Sequence, residues 1–307
     1  MSLLASRIAA SGRTVASRTS QRFWTAAAST TTTAASSSSL LAAAASTSSV
    51  TTAVRRLAST SAGSALKALA AENPYKDVVR YEFKNRKWTL QHVDFYSESL
   101  ACGLLENGLQ PGDVVLSWLP SHFSESMVLE FACSKSGLVL YNLDPSIATT
   151  DPAAAKEALA KALSLTKANV LVTQEAGSDV NYVRLCESVI PELRIFDFAQ
   201  GRPFVTPRFP HLRFPIHTGF DQDDKWGMLL LKQFVVPSGN LDDHLQGFTV
   251  DGKTPFLGEL KVDAKGIPTG VGKVMTNDQV VKAGTLETFS KVLKKEFHEV
   301  EGVGVVW

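Results

Sequence analysis

Between residues 263 and 276 the chain reads Asp263-Ala264-Lys265-Gly266-Ile267-Pro268-Thr269-Gly270-Val271-Gly272-Lys273-Val274-Met275-Thr276. Three glycines leave backbone N–H groups uncovered, and Pro268, Lys273 and the hydroxyls of Thr269 and Thr276 stand beside them. Backbone donors with an ammonium and a hydroxyl close by are what a phosphate group needs. The spacing is not that of a Walker A loop, Gly-x-x-x-x-Gly-Lys-Ser/Thr, because Lys273 is followed by Val274. Taken alone, the segment is a Gly/Pro loop between a strand-like stretch and a helix.

Little else in the chain offers chemistry. The six histidines, His92, His122, His211, His217, His244 and His298, form no His-x-x-x-His pair. No Gly-x-Ser-x-Gly elbow places a serine nucleophile beside one. Glu296, Glu299 and Glu301 read as a solvated face. Cys102, Cys133 and Cys186 are too few and too scattered for a disulfide framework or a zinc knuckle, and read as small apolar residues on helices. No catalytic residue and no metal-ligand set is assigned.

The elements that would carry the 263–276 segment alternate. Val78–Phe83 is a β-rich run, turned by Lys84-Asn85 into a short strand at Arg86–Trp88. Thr89 can cap a helix burying Val93, Tyr96, Leu100 and Leu104 and ending at Asn107-Gly108. Val114–Leu119 is a strand, Ser124 can cap a helix burying Met127, Val128, Phe131 and Ala132, and Leu138–Leu143 is the next strand. Asp151-Pro152 opens a further helix, followed by strands at Asn169–Thr173 and Arg194–Phe198 with a helix near 179–190 between them. Strand, helix and short loop repeated in this way predict a doubly wound, mostly parallel α/β sheet over residues 72–200. Residues 201–307 read as that domain's irregular second part, interrupted by prolines, with a helix near 286–297 and a terminal apolar strand Val303–Trp307.

The first 71 residues have another composition. Ala, Ser and Thr fill 47 of these positions, six Arg and one Lys are present, and the first acidic residue is Glu72. Arg7, Arg13, Arg18 and Arg22 recur among apolar residues, as in a basic amphipathic helix recognised by an organelle import receptor. Arg55-Arg56-Leu57-Ala58-Ser59-Thr60 resembles a mitochondrial matrix-processing pattern. The expectation is a disordered targeting leader over residues 1–71 and a place in the mitochondrial matrix or on the matrix face of the inner membrane. The remainder holds 24 basic against 30 acidic residues, a balance that argues against a nucleic-acid partner. No run approaches the roughly 18 apolar residues of a transmembrane helix.

From about Tyr81 onward the chain resembles the front portion of the acyl-CoA synthetase, or AMP-forming adenylating-enzyme, superfamily. The residues that carry this are Trp88-Thr89-Leu90, Leu104-Leu105-Glu106-Asn107-Gly108-Leu109-Gln110-Pro111-Gly112-Asp113-Val114-Val115, and Gly137-Leu138-Val139-Leu140-Tyr141-Asn142-Leu143-Asp144-Pro145. Ala168–Thr173 and Phe209–Gly219 continue in order. Against the family's phosphate loop, T-S-G-T-T-G-x-P-K-G, Gly266 and Pro268 keep their places, and Thr276 fits a later Thr. Asp263-Ala264-Lys265 replaces small and hydroxyl residues, Thr269 stands at the Lys position, and Asn277 stands where His is expected. An Asp facing a triphosphate repels it, and each lost donor to the charged group is worth roughly 1.5–3 kcal/mol.

The resemblance implies an incomplete N-terminal domain of an adenylating enzyme. The family's adenine- and magnesium-binding motif, ribose-binding Asp and C-terminal domain have no counterpart before Trp307. Gly266, Pro268, Thr269, Gly270, Lys273 and Thr276 are accordingly read as a vestigial phosphate loop, and no cofactor is expected. The function expected is that of a non-catalytic accessory subunit of a mitochondrial assembly, with respiratory-chain and ATP-synthase complexes considered and no residue choosing between them. Its protein partners are expected to cover the apolar strand Val303–Trp307. Two alternatives stand beside this: a ligase or ligand binder using ATP and Mg, completed by a partner chain, and a truncated gene product.

Overall fold

The computed structural model describes residues 61–82, 85–175, 180–237 and 239–300. The first element is helix α1 (Ala62–Glu72), opened by Ser61, whose side chain accepts the Ser64 N–H. Strands β1 (Asp77–Tyr81) and β2 (Arg86–Thr89) then pair antiparallel. Helix α2 (Leu90–Glu106) starts on a reciprocal cap: Thr89 Oγ1 accepts the His92 N–H, and His92 Nδ1 accepts the Thr89 N–H. Strand β3 (Val114–Trp118), helix α3 (Ser124–Ser136) and strand β4 (Val139–Asn142) follow. Gly137 ends α3 in the left-handed conformation, φ 74°. A short helix at Ser146–Thr150 leads to α4 (Pro152–Thr166), where the Asp151 carboxylate caps the N–H groups of Ala153 and Ala154 and Pro152 takes the first helical position. Strand β5 (Val170–Thr173) and helix α5 (Tyr182–Val189) complete this half.

The second half supplies more of the sheet than its prolines suggest. Strands β6 (Phe214–His217), β7 (Leu229–Leu230), β8 (Pro255–Val262) and β9 (Pro268–Thr276) are followed by helices α6 (Asn277–Ala283) and α7 (Glu287–Leu293) and strand β10 (His298–Val300). The seven-stranded sheet runs β7-β6-β5-β3-β4-β8-β9, all parallel except the β8–β9 hairpin. A three-stranded sheet, β10-β1-β2, lies apart from it. The doubly wound α/β expectation is met. The division at residue 200 runs through one sheet, which takes three strands from before it and four from after.

Both faces of the parallel strands are covered, which is why they read as apolar runs. Val115, Leu140, Val170 and Val172 pack with α1, α2 and α3, while Leu116, Trp118, Tyr141 and Leu171 pack with α4 and α5.

Three expectations are corrected. No strand forms at Arg194–Phe198, because Pro191 opens a 3-10 turn over Pro191–Arg194 and a second covers Phe198–Gln200. The next strand is β6, which accommodates Pro215 at no cost. Phe214 and Thr218 turn their N–H groups toward β5, so Pro215 faces the other side, where pairing with β7 begins only at Ile216. Second, residues 61–71, assigned to the leader, belong to the folded body: Leu66 is fully buried in α1, and the Gly63 N–H donates to Ser134 Oγ at 3.0 Å. An Ala/Ser-rich composition suits a buried helix as well as a leader, so composition does not mark the boundary. Third, residues 268–276 form strand β9 rather than a loop. Residues 1–60 and the strand expected at Val303–Trp307 lie outside the described residues.

Helix α3 is buried all round, charged residues included. Lys135, its side chain 3% exposed, reaches Asp94 at 2.6 Å and Glu98 at 3.2 Å on α2. Glu98 in turn takes Lys67 of α1 at 3.0 Å. The apolar stripe predicted for α3 is present, and the opposite face is covered by α1, α2 and α7.

Candidate functional site

Strand β8 runs parallel to β4, so the turn after it, residues 263–267, lies at the carboxyl edge of the sheet, where open α/β sheets bind ligands. The sequence places Asp, Ala, Lys and Gly there, and the turn closes on its own side chain. Asp263 Oδ1 accepts the N–H of Lys265 at 2.8 Å and of Ile267 at 2.9 Å. The Gly266 N–H donates to Asp263 O and the Asp263 N–H to Ile267 O, both at 3.0 Å. Those backbone hydrogen bonds, that from Ile267 first, hold the Asp263 carboxyl below its usual range, so it is an anion at neutral pH. The donors that would cradle a phosphate already hold a carboxylate.

Packing fixes the turn further. Ile267 is buried against the α4 face. Gly266 adopts φ 77°, and a Cβ there would stand 2.8 Å from Ile147 Cδ1, so the glycine serves a left-handed turn in tight contact.

The six residues assigned to the vestigial loop divide between the two ends of β9. Gly266, Pro268, Thr269 and Gly270 stay at the turn, where Thr269 Oγ1 donates to Lys261 O at 3.2 Å. Pro268 is buried opposite Val262. Lys273 is carried five residues along the strand, on the order of 15 Å away. Thr276 is farther still and opens α6, where its N–H donates to Gln279 Oε1 at 3.2 Å. Lys273 instead borders an open groove of about 780 Å³ with Glu259, Met275, Gln279 and Lys282. Asn277, at the position where the resemblance implies His, is fully buried and accepts the Ser134 hydroxyl at 2.5 Å. The residues at the turn do not fit a triphosphate.

The crevice beside β3, where the order of strands reverses, is filled from within. Trp118 is fully buried, its Nε1 donates to Asp144 O at 3.4 Å, and its ring meets Tyr182 edge-on at 5.0 Å. Tyr182 OH donates to Pro145 O at 2.9 Å.

One cluster went unnoticed in the sequence because neighbouring parallel strands assemble it. At the carboxyl ends of β5 and β6, Lys225 Nζ bonds Glu175 at 2.5 Å and Asp221 at 2.7 Å. His217 lies beneath them, fully buried, with Nδ1 accepting the Gly219 N–H at 3.1 Å. Burial, reinforced by Lys225, pushes its imidazole down to about 4, so it is neutral. The crevice above, about 280 Å³, sets Glu175, Asp221, Asp223 and Asp224 against Arg184 and Lys225. An acidic lining of this kind repels phosphate. Glu175 and Lys225 are fifty residues apart, and no motif spacing could have joined them. Among the described residues no group of His, Cys, Asp and Glu has metal-binding geometry. The cysteines are buried and free, and Glu296 and Glu299 are exposed as expected.

The sheet order and the β8–β9 hairpin make this an open, mostly parallel α/β domain. Solved structures agree on the fold. Acetoacetyl-CoA synthetase from Streptomyces lividans superposes with a TM-score of 0.59 at 14% identity, over 80% of this chain and 39% of that one. The luciferase-like enzyme from the nonluminescent mealworm Zophobas morio gives 0.57 at 14% identity, over 80% and 55%. The N-terminal domain of FACL13 from Mycobacterium tuberculosis gives 0.50 at 14% identity, over 78% and 56%. In sequence, YngI of Bacillus subtilis (strain 168), a protein named as an acyl-CoA synthetase, is 27% identical over 163 residues, which is 53% of this chain and 28% of that protein. Residues 66–200 match the family described as AMP-binding enzyme. Over those residues, less than half of this chain, the sequence is similar to that family. It spans less than two thirds of the length of each of these proteins.

Proposed function

We propose that this chain is an AMP-binding-family protein without adenylating activity, acting as an accessory subunit of a protein assembly in mitochondria. The observation that carries the first part is the Asp263 carboxylate seated on the N–H groups of Lys265 and Ile267. A triphosphate arriving there must displace one anion and face its charge. Thr269 offers it a hydroxyl in place of an ammonium, and that hydroxyl is engaged by Lys261 O. Positioning and charge stabilisation supply most of the catalysis of phosphoryl and adenylyl chemistry, and these residues supply neither.

The mitochondrial part is supported by residues 1–60, which hold basic side chains and no acidic one. Gradient fractionation of gently solubilised mitochondria, following this chain by mass spectrometry, tests it. Migration with a large complex is expected. Recovery only near the mass of the chain alone, or only outside mitochondria, rejects the subunit role.

A second reading, an acyl or nucleotide binder completed by a partner chain, draws on the groove beside Lys273 and Lys282, whose lining of Met275 and Ala283 offers an apolar floor. It requires saturable binding of AMP or a fatty acid that Lys273→Ala abolishes. Equal binding by that variant removes it.

A further inference from the structure

We propose that the loop 219–228, with the turns 191–200 packed against it, is a face on which a partner protein docks, and that the partner places there an arginine flanked by apolar side chains. The inference rests on the accessory-subunit reading. It adds a second contact to the one expected at Val303–Trp307.

The loop leads into β7, the two-residue strand at one edge of the sheet. Three large apolar side chains face water here: Ile195 is 85% exposed, Phe220 62% and Trp226 54%. Single apolar residues on a surface are ordinary, but the two segments that carry these three are packed on each other. The Phe198 N–H donates to Trp226 O at 3.3 Å. Gly227 lies so close to Leu193 that a Cβ there would stand 2.0 Å from its carbonyl oxygen. Beneath them Phe198 meets Phe196 at 4.8 Å between ring centres, and both pack on the α4 and α5 core. The exposed side chains therefore stand on a packed layer.

The loop is also held from within. Gln222 Nε2 donates to Lys225 O at 2.5 Å and to Met228 O at 2.6 Å, and Met228 is buried. Lys225 Nζ bonds Glu175 and Asp221. An indole displayed on a closed loop gives up little freedom on binding, and a tryptophan is a frequent energetic anchor of an interface.

Charge names the partner's chemistry. Between Phe220 and Trp226 stand Asp223 and Asp224, both exposed, whose carboxylates form no hydrogen bond or ion pair among the described residues. Lys225 is occupied by Asp221 and Glu175, and Arg184 across the crevice is bonded to Glu187 at 2.9 Å. Two open carboxylates beside an exposed indole suit a guanidinium, which takes carboxylate oxygens in a fork and lies flat on an aromatic face. The loop already shows half of this chemistry, with Lys232 Nζ 4.9 Å from the Phe220 ring centre. Nucleic acid and anionic lipid are repelled by the same carboxylates. Apolar neighbours of the arginine would cover Ile195 and Trp226.

The test places the photo-crosslinking residue p-benzoylphenylalanine at position 226 of the full-length chain, expressed in its native cells. After irradiation the products are mapped by mass spectrometry, and co-migration with a larger assembly is followed in parallel. The expected product joins residue 226 to another polypeptide of that assembly, at a segment with an arginine beside apolar residues. Its yield is expected to fall about tenfold in an Asp223→Asn, Asp224→Asn background, and a Trp226→Ala, Asp223→Asn, Asp224→Asn chain is expected to leave the assembly to a similar extent. These side chains are exposed, so the variants are expected to melt as the wild type does. A crosslink to a segment without arginine, to a second copy of this chain, to its own residues 1–60 or to phospholipid overturns the proposal. So does unchanged co-migration of the triple variant, which leaves the subunit reading standing. A wild-type chain that joins no larger assembly overturns both.

Discussion

Asp263 Oδ1 lies 2.9 Å from the backbone nitrogen of Ile267 and accepts its proton. One carboxylate thereby spans the turn between β8 and β9 and fills the position where an anion bound by that backbone would lie. Asp263→Ala frees the N–H groups of Lys265 and Ile267. The turn is then closed only by its backbone bonds, so the urea midpoint falls with the slope unchanged, and Asp263→Asn, which keeps an acceptor oxygen, recovers much of the loss. Equal midpoints for wild type and Asp263→Ala contradict the role given to this side chain.

Gly103 poses a contest between helix propensity and space. It sits inside α2, where alanine is favoured by roughly 0.8–1.0 kcal/mol. Its missing Cβ, however, is occupied by the Phe234 carbonyl oxygen, which would lie 1.8 Å away. Backbone cannot yield as a flexible side chain can, so overpacking wins. Gly103→Ala is expected to destabilise by about 1–3 kcal/mol in denaturant titration, and a stabilised variant contradicts the packing of α2 on Leu231–Phe234.

Lys135 joins Asp94 and Glu98 from a site its side chain scarcely leaves. Lys135→Met keeps the apolar stem, strands the Asp94 carboxylate and leaves Glu98 to Lys67 alone, both carboxylates being about one fifth exposed. The expected loss is about 2–3 kcal/mol, below that of a fully buried pair whose partner is removed. Asp94→Asn combined with Glu98→Gln in the same background recovers part of it, because the uncompensated charge is gone.

Glu130 on α3 gives a pH signature. Burial raises its carboxyl to about 8, so the folded state holds a proton that the unfolded state has released between the ordinary carboxylate range and pH 8. Folding stability is therefore full in mild acid and declines as pH rises through that window, at up to about 1.4 kcal/mol per unit. His217 runs the other way. With its imidazole lowered to about 4, it contributes stability above about 6.5 that is lost on acidification toward pH 4. Glu130→Gln removes the decline between the ordinary carboxylate range and pH 8 alone, and an unchanged pH profile in that variant contradicts the burial of the acid.

The sheet was legible in the sequence because its strands are covered on both faces and several of its helices carry their own caps, although α3 starts at Phe123 without the side-chain cap expected of Ser124. Thr89, Asp151-Pro152 and Gly137 each stop or start an element by local chemistry. Failure came where the controlling contacts are distant. Pro215 reads as a breaker, yet its place is set by which side β7 covers. Residues 61–71 read as leader until Ser134 and Lys135, some seventy residues on, receive them. The phosphate-loop residues were gathered by sequence proximity, while an extended strand separates Gly266 from Lys273. The His217, Glu175 and Lys225 cluster exists only through parallel pairing of β5 with β6.

The measurement that bears most directly on a turn filled by its own carboxylate is titration calorimetry of the purified protein with ATP and magnesium, and with AMP. No saturable heat is expected from either nucleotide, in the wild type or in Asp263→Ala, which frees the donors without restoring a cation. Saturable ATP binding that Gly266→Val abolishes, in a variant whose melting curve remains cooperative, contradicts it and returns the turn to nucleotide chemistry.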